Sequence, residues 1–303
     1  MKRPEPLEIF QPKSLREASA LVKEKGPGGR FLAGGTDLVI AVKEKGLKPK
    51  YVVDLKRIPA LTGIRENGDG AVTIGALTTM REVEISPIVL KKYPFLARSA
   101  AEVGSVQIRN RATIGGNMAN ATPSADVAPA LIALEAKATI AGLNGERTIE
   151  LEQLFRGPGQ TVLAPEEILT AIVIPPVSAA LRGDYIKFSP REMMDLAYVG
   201  IAVALVFNGD GKTCRKARIA LGAVSPTPMR ARRAEALLEN QTITEELAEK
   251  AGAEAAAESK PISDVRSSAD YRREMVRVNT KRALLNAAVR EPASWIERRD
   301  WRY

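Results

Sequence analysis

Ala33-Gly34-Gly35-Thr36-Asp37-Leu38 and, much further along, Thr113-Ile114-Gly115-Gly116-Asn117 are the two stretches whose reading decides the fold. Each follows an apolar run, and paired glycines let successive backbone N–H groups converge on a concavity that holds phosphate oxygens without a lysine. A lone Gly-Gly is most often an ordinary tight turn. Two of them, each with small or hydroxyl-bearing neighbours, are what a pyrophosphate needs if it is gripped from two sides. Two other nucleotide patterns fail. Gly209-Asp-Gly-Lys-Thr213 ends like a Walker A loop, but Val206 stands where that loop needs its first glycine, and GxGxxG does not occur in the chain.

Outward from the first bend, Ser14-Leu-Arg-Glu17 is a capping box that predicts a helix over residues 14–25, ended by Gly26-Pro-Gly-Gly29. Residues 30–33 read as a strand and 37–43 as a second helix. Strands follow at 51–55 and 71–74, then a short helix opened by the box Thr79-Met-Arg-Glu82 and closed by Pro87. A helix over 94–108 leads to the second Gly-Gly, read as another strand and turn. Residues 125–135 are helical, 138–140 and 148–151 are short strands, and 169–174 is an apolar run stopped by Pro175-Pro176, the expected domain boundary.

Beyond that pair, residues 185–188, 197–207 and 213–221 read as three antiparallel strands, the last two joined across Asn208-Gly-Asp-Gly211. Helices are expected over 230–239, 244–259 and 269–288, the last with Tyr271, Met275, Val278 and Leu285 on its apolar stripe. The domains would run 1–176 and 177–290, with residues 291–303 as a tail.

The whole chain of 303 residues is long enough for two cored domains, and 45% apolar with 27% charged residues is ordinary for globular proteins. No apolar run approaches the roughly 18 residues that span a bilayer. No secretory leader is read at the N-terminus, which gives a cytoplasmic expectation. There is no histidine and one cysteine, Cys214. That excludes catalytic triads with histidine and a structural zinc or iron-sulfur site in this chain, so no metal ligands and no catalytic residues are assigned. If the protein belongs to an enzyme, a cofactor carries the reaction. The net charge of +9 is spread: from Met229 onward there are 15 basic and 13 acidic residues. With 5% aromatics, nucleic-acid binding is the weaker reading.

Together with Thr122-Pro-Ser-Ala-Asp126, Pro165-Glu-Glu-Ile-Leu169, Lys187, Arg191 and Asp195-Leu-Ala197, the two glycine stretches resemble the FAD-binding medium subunit of the molybdenum hydroxylases. Xanthine dehydrogenase and aerobic carbon monoxide dehydrogenase belong to that family. The resemblance covers nearly the whole chain, and Ser268-Ala-Asp-Tyr-Arg-Arg273 looks like the signature of the family's C-terminal flavoprotein domain. It implies an α+β fold: a two-lobed FAD-binding domain of the vanillyl-alcohol-oxidase (PCMH) type, then a small domain with a three-stranded antiparallel sheet and a helical bundle. It also implies an FAD-containing electron-transfer subunit. A large molybdopterin-binding partner would oxidise substrate, and a small partner with two [2Fe-2S] clusters would relay electrons to the FAD held here, in a dimer of heterotrimers. The substrate and the final acceptor belong to surfaces this chain does not reveal.

By the same resemblance Phe31, Leu32, Ala33, Gly34, Gly35, Thr36, Asp37 and Leu38 would line the pyrophosphate and adenosine, and Thr113, Gly116 and Asn117 the second phosphate loop. Thr122 belongs to the loop that carries Asp126, which would reach a cofactor hydroxyl or ring nitrogen. Ile168 and Leu169 would pack on the ring, and Lys187 would set positive charge near it. On the residues alone Asp37 and Asp126 also read as helix-start acids, Leu169 as a core strand residue, and Lys187 as a solvated strand lysine. Arg191 and Asp195 would pair with each other or with the cofactor. A free-standing FAD-dependent oxidase, with a carboxylate, Lys or Tyr such as Tyr198 as acid or base, and a basic binding module are the two other functions the sequence admits.

Overall fold

A computed structural model describes residues 7–191 and 194–289. The first lobe comprises β1 (Glu8–Phe10), α1 (Leu15–Lys25), β2 (Gly29–Leu32), α2 (Leu38–Glu44) and β3 (Tyr51–Asp54), with the strands parallel in the order β1-β3-β2. The Ser14 hydroxyl caps α1 by accepting from Glu17 N at 3.2 Å, while the Glu17 carboxylate accepts from Lys13 N rather than from Ser14 itself. Ala18 and Val22 on α1 pack with Tyr51, Val53, Leu55 and Leu61. Because the sheet is parallel, β2 and β3 end at one edge, and the first Gly-Gly bend leaves from that edge, the usual place for a ligand crevice.

The second lobe continues with β4 (Ile64–Glu66), β5 (Val72–Gly75), α3 (Met80–Ile85), α4 (Pro87–Lys92), α5 (Pro94–Ala101), α6 (Val106–Arg109), α7 (Ile114–Asn120) and α8 (Val127–Ala133). The strands β6 (Lys137–Gly142), β7 (Gly145–Glu150), β8 (Phe155–Gly157), β9 (Gln160–Thr161) and β10 (Ile168–Ile174) follow. Its main sheet is antiparallel in the order β4-β5-β10-β6-β7. The Thr79 capping box forms in full. Pro87 does more than end a helix: it is the first residue of α4, whose cap is the Ser86 hydroxyl, because proline's missing N–H costs nothing there. The helix predicted over 94–108 is two helices, parted where Gly104 takes φ +51°.

The C-terminal part contains β11 (Leu181–Phe188), β12 (Val199–Phe207), β13 (Thr213–Gly222), β14 (Met229–Arg230), α9 (Arg232–Leu238), β15 (Gln241–Thr242), α10 (Glu245–Glu258) and α11 (Ala269–Val289). The expected three strands are there, and β14 and β15 both add to β13. One face of this sheet carries α9, α10 and α11. The other face puts Tyr185, Ala202, Ala204 and Ala220 into the same core as α5 and α8. The buried stripe of α11 is Arg272, Val276, Asn279, Thr280, Ala283, Leu284 and Ala287, one position round from the expected one, with Tyr271 exposed. The 291–303 tail lies outside the described residues. Among those described, no helix is long and apolar enough to cross a membrane.

Candidate functional site

Where β2 ends, the chain bends through Ala33 to Asp37 before α2 begins. Among the described residues, the backbone N–H groups of Gly34, Gly35, Thr36, Asp37 and Leu38 have no backbone acceptor. Asp37 makes no side-chain cap to α2 and is exposed. A run of consecutive unpaired donors at the carboxyl edge of a parallel sheet is an anion cradle. Gly35 sits at φ +82°, where a side chain is strained. Gly34 has no room for one, since a Cβ there would lie 2.0 Å from the Arg111 carbonyl oxygen. That clearance lets the bend lie directly on the second glycine segment: a Cβ at Gly116 would be 3.5 Å from that of Ala33. Phe31 and Ala33 pack toward the first-lobe core, and Leu32 turns its side chain beneath Gly35. Lys56, paired with Asp54 at 2.7 Å, also donates to the Ala33 carbonyl at 3.4 Å.

The second Gly-Gly differs from its expected form. It is no strand and turn but the first turn of α7, with Thr113 as its cap. Its N–H groups are spent inside the protein: Ile114 on the Thr78 carbonyl at 2.9 Å, Gly115 on that of Ala76 at 2.8 Å, and Gly116 on the Thr113 hydroxyl at 3.1 Å. The reading of this segment as a second nest of free donors is therefore corrected. Its glycines serve close approach instead, since a Cβ on Gly115 would stand 2.4 Å from that of Ala76. What this segment still offers is Asn117, whose Oδ1 is buried without a partner. Unpaired donors on one segment and an orphaned amide oxygen on the other, brought into contact by glycines, fit the linking phosphates and sugar of an adenine dinucleotide.

Past α7 the chain reaches Thr122, whose hydroxyl accepts from Asn120, and then Asp126, whose carboxylate is nearly buried. Asp126 stands at the start of α8 but makes no side-chain cap to it. Its Oδ2 accepts from Lys187 Nζ at 3.0 Å and its Oδ1 from the Tyr185 hydroxyl at 3.1 Å. Lys187 also donates to the Glu102 carbonyl at 3.0 Å and is only 5% exposed, so it is no solvated strand lysine. Burial pushes the Asp126 carboxyl up to about 6 even though Lys187 and Tyr185 pull it down. Burial and the neighbouring Asp126 hold the Tyr185 phenol well above its ordinary value. Ile168 and Leu169 are both buried, but they belong to different clusters, Ile168 with the first lobe and Leu169 with the second. Arg191 pairs with Asp195 at 3.2 Å. The sequence reading missed Tyr185. Its signal was the spacing Tyr185-x-Lys187, which places both side chains on one face of β11.

Residues 5–177 match the family model described as the FAD binding domain in molybdopterin dehydrogenase. Residues 184–287 match that of the CO dehydrogenase flavoprotein C-terminal domain. The carbon monoxide dehydrogenase medium chain of Hydrogenophaga pseudoflava is 37% identical over 94% of this chain and 98% of its own. The putative xanthine dehydrogenase FAD-binding subunit of Escherichia coli is 30% identical over 90% of this chain and 93% of its own. A solved carbon monoxide dehydrogenase from Hydrogenophaga pseudoflava superposes with a TM-score of 0.90 at 38% identity, covering 95% of this chain and 98% of that one. The reconstituted CO dehydrogenase of Oligotropha carboxidovorans gives 0.91 at 34% identity, covering 96% of this chain and all of that one. With both halves matched, the chain belongs to the FAD-binding subunits of the heteromeric molybdenum hydroxylases, oxidoreductase flavoproteins whose full activity needs partner subunits.

Proposed function

We propose that this chain binds FAD with its pyrophosphate on the N–H groups of Gly34 to Leu38 and its ring toward Asp126 and Lys187. The observation that carries the reading is the run of unpaired backbone donors pressed against the segment that holds the orphaned Asn117 oxygen. When bound, FAD joins the one-electron chemistry of iron-sulfur clusters to the two-electron chemistry of an acceptor. The chain's own residues supply the rest. Backbone donors offset the phosphate charge, Thr113 and Asn117 offer a hydroxyl and an amide, and the buried Lys187–Asp126 pair keeps a fixed charge away from water. The partners are a small subunit with two [2Fe-2S] clusters and a large molybdopterin subunit, in a dimer of heterotrimers.

Purified full-length chain should be yellow or should take up added FAD at micromolar concentration. Co-expressed with genes for an iron-sulfur protein and a molybdopterin protein found beside its own, it should co-purify with both. A colourless chain that holds no FAD would sink the assignment.

A further inference from the structure

Tyr185 belongs to none of the motifs that marked this site and has no exposed surface, yet it occupies one of the two oxygens of Asp126. The period of two along β11 sends Tyr185 and Lys187 to the same carboxylate, one to each oxygen. Gly200, on the paired strand β12, lies beside the phenol, where a Cβ would be in ordinary contact with the hydroxyl oxygen at 3.5 Å. Three elements therefore meet at one buried carboxylate: the start of α8, β11, and the end of α5, through the Glu102 carbonyl that Lys187 also holds.

The charges around this point come from every side. The Glu102 carboxylate disfavours a second negative charge on Asp126. Arg98, on α5, reaches Tyr185 electrostatically while pairing with the buried Asp184 at 3.1 Å. Asp195, beyond the end of β11, feels both Arg191 and Lys187. Tyr185 is the neutral member of the set. A phenol that keeps its proton donates to the ionised Asp126, which can only accept, and that donated hydrogen bond favours the ionised carboxylate.

We propose that Tyr185 is a positioning residue of the cofactor site, whose hydroxyl holds Asp126 ionised and so keeps the Lys187 ammonium fixed beside the flavin. This rests on reading Asp126 and Lys187 as cofactor neighbours. If Tyr185 loses its hydroxyl, Asp126 takes up a proton at higher pH and Lys187 is left without its counter-ion.

The test titrates FAD, by quenching of its fluorescence, into full-length chain stripped of cofactor, across pH 5 to 8.5. For the wild type the logarithm of the dissociation constant plotted against pH should break where Asp126 titrates. Tyr185→Phe keeps the buried ring and should move that break up by about one pH unit. Asp126→Asn should remove it. An unmoved break in Tyr185→Phe overturns the role of Tyr185 while leaving the FAD site standing. A break that survives in Asp126→Asn, or none in the wild type, shows that Asp126 is not coupled to the cofactor and overturns the inference at its base. No FAD binding at all would fail the site itself. Should Tyr185→Phe not fold, 3-fluorotyrosine placed at 185, a stronger donor, should move the break down, and no movement again overturns the proposal.

Discussion

At the scale of single residues, Asn117 and Gly34 separate binding from folding. A buried acceptor with no partner costs about 1–3 kcal/mol, so Asn117 is a residue the cofactor-free fold tolerates and does not need. Asn117→Ala should leave the thermal midpoint of the FAD-free chain level or higher while weakening FAD binding about tenfold, by direct titration. Gly34 is the opposite case. A methyl group there meets the Arg111 carbonyl at 2.0 Å, backbone against backbone, with no flexible side chain to give way. Gly34→Ala should lower stability by about 2–4 kcal/mol in urea denaturation and release FAD with it. Equal behaviour of the two variants would contradict this division. The first Gly-Gly was legible as a special bend, while the second, read as a strand and turn, opens α7 instead. That only the first has free donors was not legible, because the acceptors that occupy the second, at Ala76 and Thr78, lie on a segment which folding alone brings near.

At the scale of elements, α11 shows what a periodicity reading sees and what it misses. The helix and its span were legible from spacing, but its inward face carries Arg272, Asn279 and Thr280 among the aliphatics, and an apolar stripe cannot point to buried polar residues. Arg272 explains its own burial. Its guanidinium donates to Asp264 at 2.8 Å and reaches the carbonyls of Tyr198 and Ala223, tying α11 to the open end of the β12–β13 pair, where Gly200 faces Gly222. Arg272→Leu fills similar space but strands those acceptors, and should cost about 2–4 kcal/mol in urea denaturation. A loss below about 0.5 kcal/mol would mean the tie is replaceable by packing. The break between α5 and α6 was hidden for a related reason: Gly104 is tolerated inside a helical pattern, and only its positive φ ends one.

For the molecule as a whole, the covalent boundary and the packing boundary differ. The boundary expected from sequence falls at Pro175-Pro176, yet α5 and α8 before it are buried against the C-terminal sheet. Phe95 packs on Gly183, where a Cβ would come within 2.5 Å of its ring, and Pro129 on Gly222, where a Cβ would lie 2.7 Å from its Cγ. Polar ties cross the same seam: Arg98 to Asp184, Asp126 to Lys187, and Glu135 to Lys216 and Arg218. A chain cut near residue 180 would expose at once the apolar surfaces of both helices that pack on the C-terminal sheet. Calorimetry of the full-length chain should therefore give one unfolding transition with matching calorimetric and van't Hoff enthalpies, and the fragment ending at residue 180 should aggregate or bind a hydrophobic dye. Two resolved transitions, or a well-folded fragment, would show that the seam is a contact between independent domains. The same seam holds the Asp126 cluster, so a cofactor bound beside it joins both parts of the chain, and added FAD should raise that single midpoint without splitting it.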